Sequence, residues 1–186
     1  MDHKSLAKNL GRPARVWAGT PVFRRLCRSP DWGAEPKKQG WRCLAITGDV
    51  ELWSRRGKPI AKAYPKLQAA LATLPPAQLD GELLIKCGVL WVFDALQIGE
   101  RPMFHLPYWS RRELLEKFLD GGNGVVKIMP LRLFDKEELY EAALENGDEG
   151  VVFKHLKRPY PLGETHDWIK ARVSLLERKE RPKHYP

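Results

Sequence analysis

The chain has 186 residues, of which 43% are hydrophobic and 30% charged, a composition that is ordinary for one globular domain with a core. The formal net charge of +9 favours a polyanionic partner such as DNA, RNA or a membrane surface. A membrane-spanning or secreted protein is disfavoured, because no apolar run can cross a bilayer and the N-terminus lacks a signal-peptide core. Cys27, Cys43 and Cys87 lie far apart, which favours reduced thiols in a cytoplasmic or nucleoid-associated protein.

Residues 1–20 are basic and are interrupted by glycine and proline. They predict a basic N-terminal arm, or alternatively a short helix followed by extended chain. Lys4, Lys8, Arg12 and Arg15 either contact a phosphate backbone or belong to a solvated tail. The apolar residues from Val22 to Leu26 predict a short turn.

Strand and helix patterns follow in alternation. Gly48-Asp49 predicts a hairpin turn, and residues 64–74 have apolar side chains at helical spacing. Ser110 and Asp135 each precede a glutamate by three residues, which predicts that a helix starts with a capping box at each position. The glycines at 121–124 predict the end of the first of these helices. The predicted strands cover 41–46, 50–54, 79–86, 89–96, 125–129, 150–155 and 168–173. This order predicts an α+β fold of mainly antiparallel sheets with flanking helices.

Lys37 is the candidate nucleophile, within Glu35-Pro36-Lys37-Lys38-Gln39-Gly40. An amine that attacks the α-phosphate of ATP must be unprotonated at the moment of attack, and nearby cations favour that state. Those cations would also offset phosphate charge during the displacement. Taken alone, the stretch is more typical of an exposed turn between strands. The candidate cations are Lys38, Lys154, Lys170 and Arg172.

Four later segments supply what such chemistry needs. Glu82 follows Asp80-Gly81 at a strand and is placed to accept from a ribose hydroxyl, although such tripeptides are common in turns. Phe93 is a core residue or a ring that stacks on adenine. Glu149 is suited to Mg²⁺, and Lys154 to phosphate. Lys170 and Arg172 share one face of a strand, which suits a triphosphate or a solvated surface.

In this order, these segments resemble the motifs of the covalent nucleotidyltransferase family, and within it the ATP-dependent DNA ligases, from about residue 20 to 173. Residues 35–40 look like the nucleophile motif Glu-x-Lys-x-Asp-Gly, and residues 54–57 like the Ser-Arg-x-Gly that follows it. Residues 159–163 look like the family's Tyr-x-x-Gly loop. The resemblance implies an ATP-grasp-like nucleotidyltransferase (adenylylation) domain of DNA ligases over residues 21–173.

The resemblance also implies a role for each residue. Lys37 would bond covalently to AMP, Glu35 would read the adenine amino group, and Phe93 would stack on adenine. Arg42 and Glu82 would hold the ribose, while Glu149 would support Mg²⁺. Arg55 or Arg56 would meet nicked double-stranded DNA. The implied phosphate contacts are Lys154, Lys170 and Arg172.

The implied reaction has three steps, with ATP and Mg²⁺ as cofactors. Lys37 takes AMP from ATP, AMP passes to a 5′-phosphate at a nick, and the 3′-hydroxyl displaces AMP. DNA replication and DNA repair are the processes that use such a reaction.

Two departures from the family pattern stand out. Gln39 replaces the usual aspartate and removes a negative charge near the nucleophile, which either favours the unprotonated amine or misplaces the lysine. Residues 174–186 predict a basic C-terminal tail and no OB-fold domain, so we expect a minimal ligase, a fragment, or a partner protein that supplies the OB-fold function.

Two alternatives are compatible with the same motifs. An RNA ligase shares the lysine chemistry. A degenerate nucleotidyltransferase would bind nucleic acid without ever carrying AMP, and the glutamine at position 39 fits that interpretation.

Overall fold

Two β-sheets organise the protein, which we describe from a computed structural model of residues 1–120 and 124–172. The chain forms two units, and each unit is assembled from separate stretches. Unit 1 contains residues 1–12, 39–129 and 157–163, and unit 2 contains residues 13–38, 130–156 and the stretch that starts at 164.

The elements alternate along the chain, as the sequence patterns predicted. The helices are α1 (His3–Asn9), α2 (Pro21–Arg28), α3 (Pro65–Ala72), α4 (Tyr108–Phe118) and α5 (Lys136–Glu145). The strands are β1 (Arg12–Trp17), β2 (Trp32–Pro36), β3 (Trp41–Ile46), β4 (Glu51–Ser54), β5 (Ala77–Leu84), β6 (Val89–Ile98), β7 (Arg101–Pro102), β8 (Val126–Ile128), β9 (Gly150–His155) and β10 (Glu164–Arg172).

Unit 1 is built on a sheet with the strand order β4-β3-β5-β6-β7, in which β8 pairs in parallel with β6. The remaining pairs are antiparallel, and β3 and β4 form the hairpin predicted from Gly48-Asp49. One face of the sheet packs against α3 and α4 through a core that includes Leu71, Leu79, Val92 and Leu115. The α+β class with mainly antiparallel sheets is therefore confirmed.

Unit 2 is built on a sheet with the order β1-β10-β9-β2, in which β9 runs antiparallel to both neighbours. Helices α2 and α5 cover one face, where Phe23 and Tyr140 pack with Phe153 and Val151. The opposite face of this sheet carries the predicted functional side chains.

The N-terminal residues fold as a short helix followed by extended chain, which was one of the two predicted alternatives. The Asp2 carboxylate caps α1 by accepting the Ser5 backbone N–H at 2.9 Å. Leu6, Ala7 and Leu10 are buried, so this segment contributes to the core.

The predicted turn at Val22–Leu26 is wrong, because these residues lie in α2. Thr20 caps that helix by accepting the Phe23 N–H, and Pro21 occupies its first turn. The side chains of Phe23 and Leu26, three positions apart, then point together into the core.

The two predicted capping boxes also fail. Helix α4 begins at Tyr108, because Pro107 rather than Ser110 stands at its N-cap. Asp135 is the N-cap of α5 as predicted, but it has a left-handed backbone with φ of 49° and its side chain makes no capping bond. Helix α4 ends at Phe118, a few residues before the predicted end at 121–124. Residues 121–123, residue 173 of the predicted last strand and the tail at 174–186 lie outside the described residues.

A buried lysine at the start of α5 joins that helix to the backbone around the start of β2. Lys136 is 2% exposed and donates to the carbonyls of Ser29, Trp32 and Leu133 at 2.7, 2.8 and 2.9 Å. Burial lowers the pKa of Lys136. Its three bonds give a donor to backbone carbonyls before β2, at the start of β2 and before α5.

We expect Lys136→Met to reduce the free energy of unfolding by about 3 kcal/mol or more, because it leaves three inward-facing carbonyls without a donor. Urea denaturation of the variant checks this. Lys66→Met, at an exposed position of α3, is the matched control and should change the value by less than about 0.5 kcal/mol. Equal effects of the two changes would contradict the role assigned to Lys136.

Candidate active site

The alternation of side chains along β2 places the candidate nucleophile on the uncovered face of the unit 2 sheet. Ala34 packs into the core beneath α2 and α5, so Glu35 points to the opposite face. Lys37 follows directly after the end of β2. Backbone bonds fix its position, since the Lys37 N–H donates to Gly150 O and the Glu149 N–H donates to Lys37 O, both at 2.8 Å.

Glu149 joins the candidate nucleophile to one of the candidate cations. Its carboxylate lies 2.5 Å from Lys37 Nζ and also accepts from Arg172 Nη2, through the same oxygen. The Lys37 and Glu149 side chains are 19% and 16% exposed, so both are partly buried yet reachable. Arg172 Nε is buried and has no hydrogen-bond partner among the described residues. The structure thus brings Lys37, Glu149 and Arg172 together, as the motif order predicted.

Glu35 and Lys154 form a buried ion pair. Lys154 Nζ lies 2.8 Å from Glu35 Oε2, and the two side chains are 1% and 3% exposed. The ammonium also lies 4.6 Å from the centre of the Trp168 indole. A paired charge is the form in which such groups are tolerated at this depth. Their roles toward adenine and phosphate remain predictions.

The remaining predicted cations of unit 2 are Lys38 and Lys170. Lys38 Nζ lies 2.8 Å from Asp148 Oδ2. Burial raises the pKa of Asp148, although the hydrogen bond from Lys38 opposes that change. Lys170 lies opposite Val152 in the β9–β10 register, and alternation places it on the same sheet face as Arg172.

In unit 1, Arg42 is held by a network that the sequence analysis missed. Its guanidinium donates to both oxygens of Asp80, at 2.9 and 2.5 Å, and to the carbonyl of Gly11. The Tyr160 hydroxyl donates to Asp80 Oδ2 at 2.6 Å. The sequence did offer a signal. Asp80 lies two positions before Glu82, and Tyr160 is the tyrosine of the Tyr-x-x-Gly loop, so both polar residues lay within motifs already noted.

The ionisation of this network follows from burial and charge. Burial by itself would lower the pKa of Arg42, but the Asp80 carboxylate more than offsets it and the pKa is raised. Burial and the same carboxylate raise the pKa of Tyr160 well above its usual value. Arg42 is therefore a fixed cation and Tyr160 a neutral donor at neutral pH.

Glu82 and Phe93 flank Arg42. Glu82 is the cross-strand partner of Arg42, and its carboxylate accepts the Gly40 N–H at 3.1 Å. A Cβ at position 40 would lie 2.4 Å from the Leu83 carbonyl oxygen, so glycine is required there. The Arg42 guanidinium lies 5.3 Å from the Phe93 ring centre. The three residues of unit 1 that were predicted to hold the nucleoside therefore lie together.

Arg55 and Arg56 are exposed at the end of β4, where the sequence placed a nucleic-acid contact. The Arg55 backbone N–H donates to the Arg42 carbonyl at 3.2 Å, which joins this turn to β3.

Only a sparse set of metal ligands is present. Among residues 1–120 and 124–172, no three His, Cys, Asp or Glu side chains cluster as a metal centre, and no helix is long and apolar enough to cross a membrane. The Glu149 carboxylate contacts the candidate nucleophile. This suits Mg²⁺, which is usually held by one or two carboxylates together with substrate phosphates.

Comparison with known proteins finds similarity to ATP-dependent DNA ligases. The family described as ATP dependent DNA ligase domain matches residues 85–172. The multifunctional non-homologous end joining protein LigD of Mycolicibacterium smegmatis is 30% identical over 170 residues, and its namesake from Pseudomonas aeruginosa is 28% identical over 215. These matches cover 78% and 94% of this chain but 22% and 26% of the relatives, so the chain spans about a quarter of their length.

Solved structures identify the fold. The ligase domain of LigD from M. tuberculosis superposes with a TM-score of 0.72 at 24% identity, covering 89% of this chain and 61% of that one. A mycobacterial DNA ligase D complexed with ATP and MES gives a TM-score of 0.71 at 24% identity, covering 92% and 62%. The predicted nucleotidyltransferase fold of DNA ligases is thereby confirmed.

We expect Asp80→Asn to lower the free energy of unfolding by about 3–5 kcal/mol, because it leaves the buried Arg42 cation without its counter-charge. Tyr160→Phe removes one hydrogen bond to that carboxylate and should cost about 1.5–3 kcal/mol. Urea denaturation of both variants and of the double variant checks this. Tyr64→Phe, at a partly exposed tyrosine of the same unit, is the control. Losses that simply add would argue against a shared network.

Proposed function

We propose that this chain, a nucleotidyltransferase domain of the ATP-dependent DNA ligase type, forms a covalent AMP adduct on Lys37 and uses it to seal nicks in duplex DNA. The observation that carries the proposal is the placement of Lys37 at the end of β2, where the Glu149 carboxylate contacts both Lys37 and Arg172. The match to the ligase family and the fold support the same activity.

In the first step, Lys37 Nζ attacks the α-phosphorus of ATP. A phosphorus–nitrogen bond forms, the bond from the α-phosphorus to the bridging oxygen breaks, and pyrophosphate leaves. The ion pair with Glu149 requires an ammonium, whereas attack requires a free amine. Lys37 must therefore lose a proton and separate from Glu149 before it reacts.

In the second step, a 5′-phosphate oxygen at a nick attacks the adenylate phosphorus and Lys37 leaves as an amine. In the third, the 3′-hydroxyl attacks the 5′-phosphorus, the phosphodiester forms, and AMP leaves. Every step is an in-line displacement at phosphorus, for which positioning and charge are the main contributions of the protein.

Residues of unit 2 face the phosphates in this proposal. Arg172 and Lys170 share one face of β10 and would offset the charge of the α-phosphate and of the departing pyrophosphate. Lys154 supplies a further cation, and Glu35, its buried partner, would read the adenine amino group.

In unit 1, Arg42 and Glu82 would hold the ribose and Phe93 would stack on adenine. Support comes from their local geometry, since the three lie together and Asp80 fixes the direction of the Arg42 guanidinium. Arg55 and Arg56 would contact the nicked strand.

Glu149 is the residue that would hold Mg²⁺. When bound, the cation would neutralise charge on the phosphates. The carboxylate of Glu149 pairs with the resting lysine, and in this proposal it would hold the metal once the lysine is free.

Nicked double-stranded DNA is the proposed substrate, and DNA repair the proposed process. The matched relatives are described as end-joining proteins, but the chain spans only about a quarter of them, so the proposal extends to nick sealing alone. RNA ligase chemistry would be indistinguishable in the first step. The two activities are separated by comparing the sealing of nicks that carry a 3′-terminal deoxyribonucleotide or ribonucleotide, in DNA and in RNA duplexes.

We expect Lys37→Ala to abolish uptake of AMP, measured as the gain of one AMP in intact mass after incubation with ATP and Mg²⁺. DNA affinity should be retained, since only the nucleophile is removed. Lys38→Ala is the control, because Lys38 pairs with Asp148 and should still allow the adduct. An adduct on the Lys37→Ala protein would refute the assignment. No adduct on the unaltered protein, together with no sealing of a pre-adenylylated nick, would favour a protein that only binds nucleic acid.

We expect Glu149→Gln to slow AMP uptake by about 10- to 100-fold and to raise the Mg²⁺ concentration needed for half-maximal rate. Asp148→Asn, which changes the neighbouring carboxylate, should have a smaller effect. Mass spectrometry at several Mg²⁺ concentrations checks this. An unchanged Mg²⁺ dependence would exclude Glu149 as the ligand.

A further inference from the structure

A cluster of exposed cations in unit 1 joins two segments that are far apart in sequence. Lys4 and Lys8 lie four positions apart on α1, and therefore on one face of it. Arg55, Arg56 and Lys58 belong to the turn after β4. All five side chains are exposed, and none forms an ion pair among the described residues.

Gly57 is the point at which α1 meets this turn. It is buried and has φ of 70°, a conformation that glycine adopts without strain. A Cβ there would lie 2.7 Å from Lys8 Cε and 3.1 Å from Lys4 Cγ. The aliphatic parts of the two lysines thus lie directly over the backbone of the turn that carries the two arginines.

The turn itself is held rigidly. The Gly57 N–H donates to the Ser54 carbonyl at 2.7 Å, and the Ser54 N–H donates to the Lys58 carbonyl at 2.9 Å. The Ser54 hydroxyl accepts the Lys58 N–H at 3.1 Å. Nearby Glu51 is already occupied, since it accepts from the Trp53 indole and pairs with His3 at 2.9 Å.

We propose that Lys4 and Lys8 of α1 join Arg55, Arg56 and Lys58 in one cationic surface that binds the phosphate backbone of duplex DNA. The proposal rests on the proposed function in taking DNA as the partner, and it extends the DNA contact to a helix outside the ligase motifs. The apolar side chains of α1, together with Leu10 after its end, are buried in the protein, so the surface offers charge without an apolar anchor. Such a surface suits regularly spaced phosphates.

The test is the salt dependence of affinity for a labelled nicked duplex, measured by fluorescence anisotropy without ATP, so that it does not depend on Lys37 chemistry. Removing one lysine–phosphate contact reduces the slope of log K against log salt by about 0.9. The double variant Lys4→Ala/Lys8→Ala should therefore have a slope smaller in magnitude by about 2. Alanine favours helix at these exposed positions, and circular dichroism confirms that the variant is folded.

The matched control is Arg25→Ala/Arg28→Ala, which removes two exposed cations from α2 in unit 2 and should leave the slope nearly unchanged. An unchanged slope in the lysine variant, an equal change in the control, or no measurable affinity of the unaltered protein would each overturn the proposal. If the lysine variant shows the reduced slope while the unaltered protein takes up no AMP, the surface stands and the proposed function fails. If the unaltered protein takes up AMP but the lysine variant has an unchanged salt slope, the proposed cationic surface is refuted and the proposed function is not.

Discussion

A lysine that is to attack phosphorus must be fixed in position and yet be able to leave its ion pair, and the proposed role of Lys37 places this constraint on unit 2. The backbone of Lys37 is fixed by reciprocal hydrogen bonds to the start of β9, so its side chain is free to change partners. Glu149, on the same stretch, pairs with the ammonium and with Arg172. In the proposed function the same carboxylate would also hold the metal, so the metal and the resting lysine would compete for Glu149, and binding of the metal would release the nucleophile.

Gln39 can be judged against this arrangement. An aspartate is usual at this position in the family that the sequence resembles, and glutamine either favours the unprotonated amine or displaces the lysine. The Gln39 side chain is exposed, and the bonds that position Lys37 run from its own N–H and carbonyl to Gly150 and Glu149. Displacement of the lysine is therefore the weaker alternative, because none of its backbone anchors depends on the side chain at position 39.

Much of this could be predicted from local patterns, and the rest depended on long-range contacts. The β3–β4 hairpin and the helix at 65–72 follow from Gly48-Asp49 and from apolar spacing. The strand β2 was not predicted, because its five residues include Gly33 and Pro36 and show no alternation. Tyr160 and Asp80 are 80 positions apart, so no spacing rule could join them. The motif order identified Lys37, Glu149 and Arg172, but not that one carboxylate would contact both cations.

The two sets of functional residues are stabilised by different physical means. In unit 1, Arg42 is held by a carboxylate and a tyrosine that are both buried, so its charge is permanent and its direction is fixed. In unit 2, the ion pair of Lys37 is partly exposed, and its carboxylate is the group that we propose would hold a metal. A cation with a fixed direction suits a residue that binds the nucleotide, whereas an ion pair that can separate suits a residue that reacts with it. The burial of the partner carboxylate therefore distinguishes Arg42, which would bind the nucleotide, from Lys37, which would be modified by it.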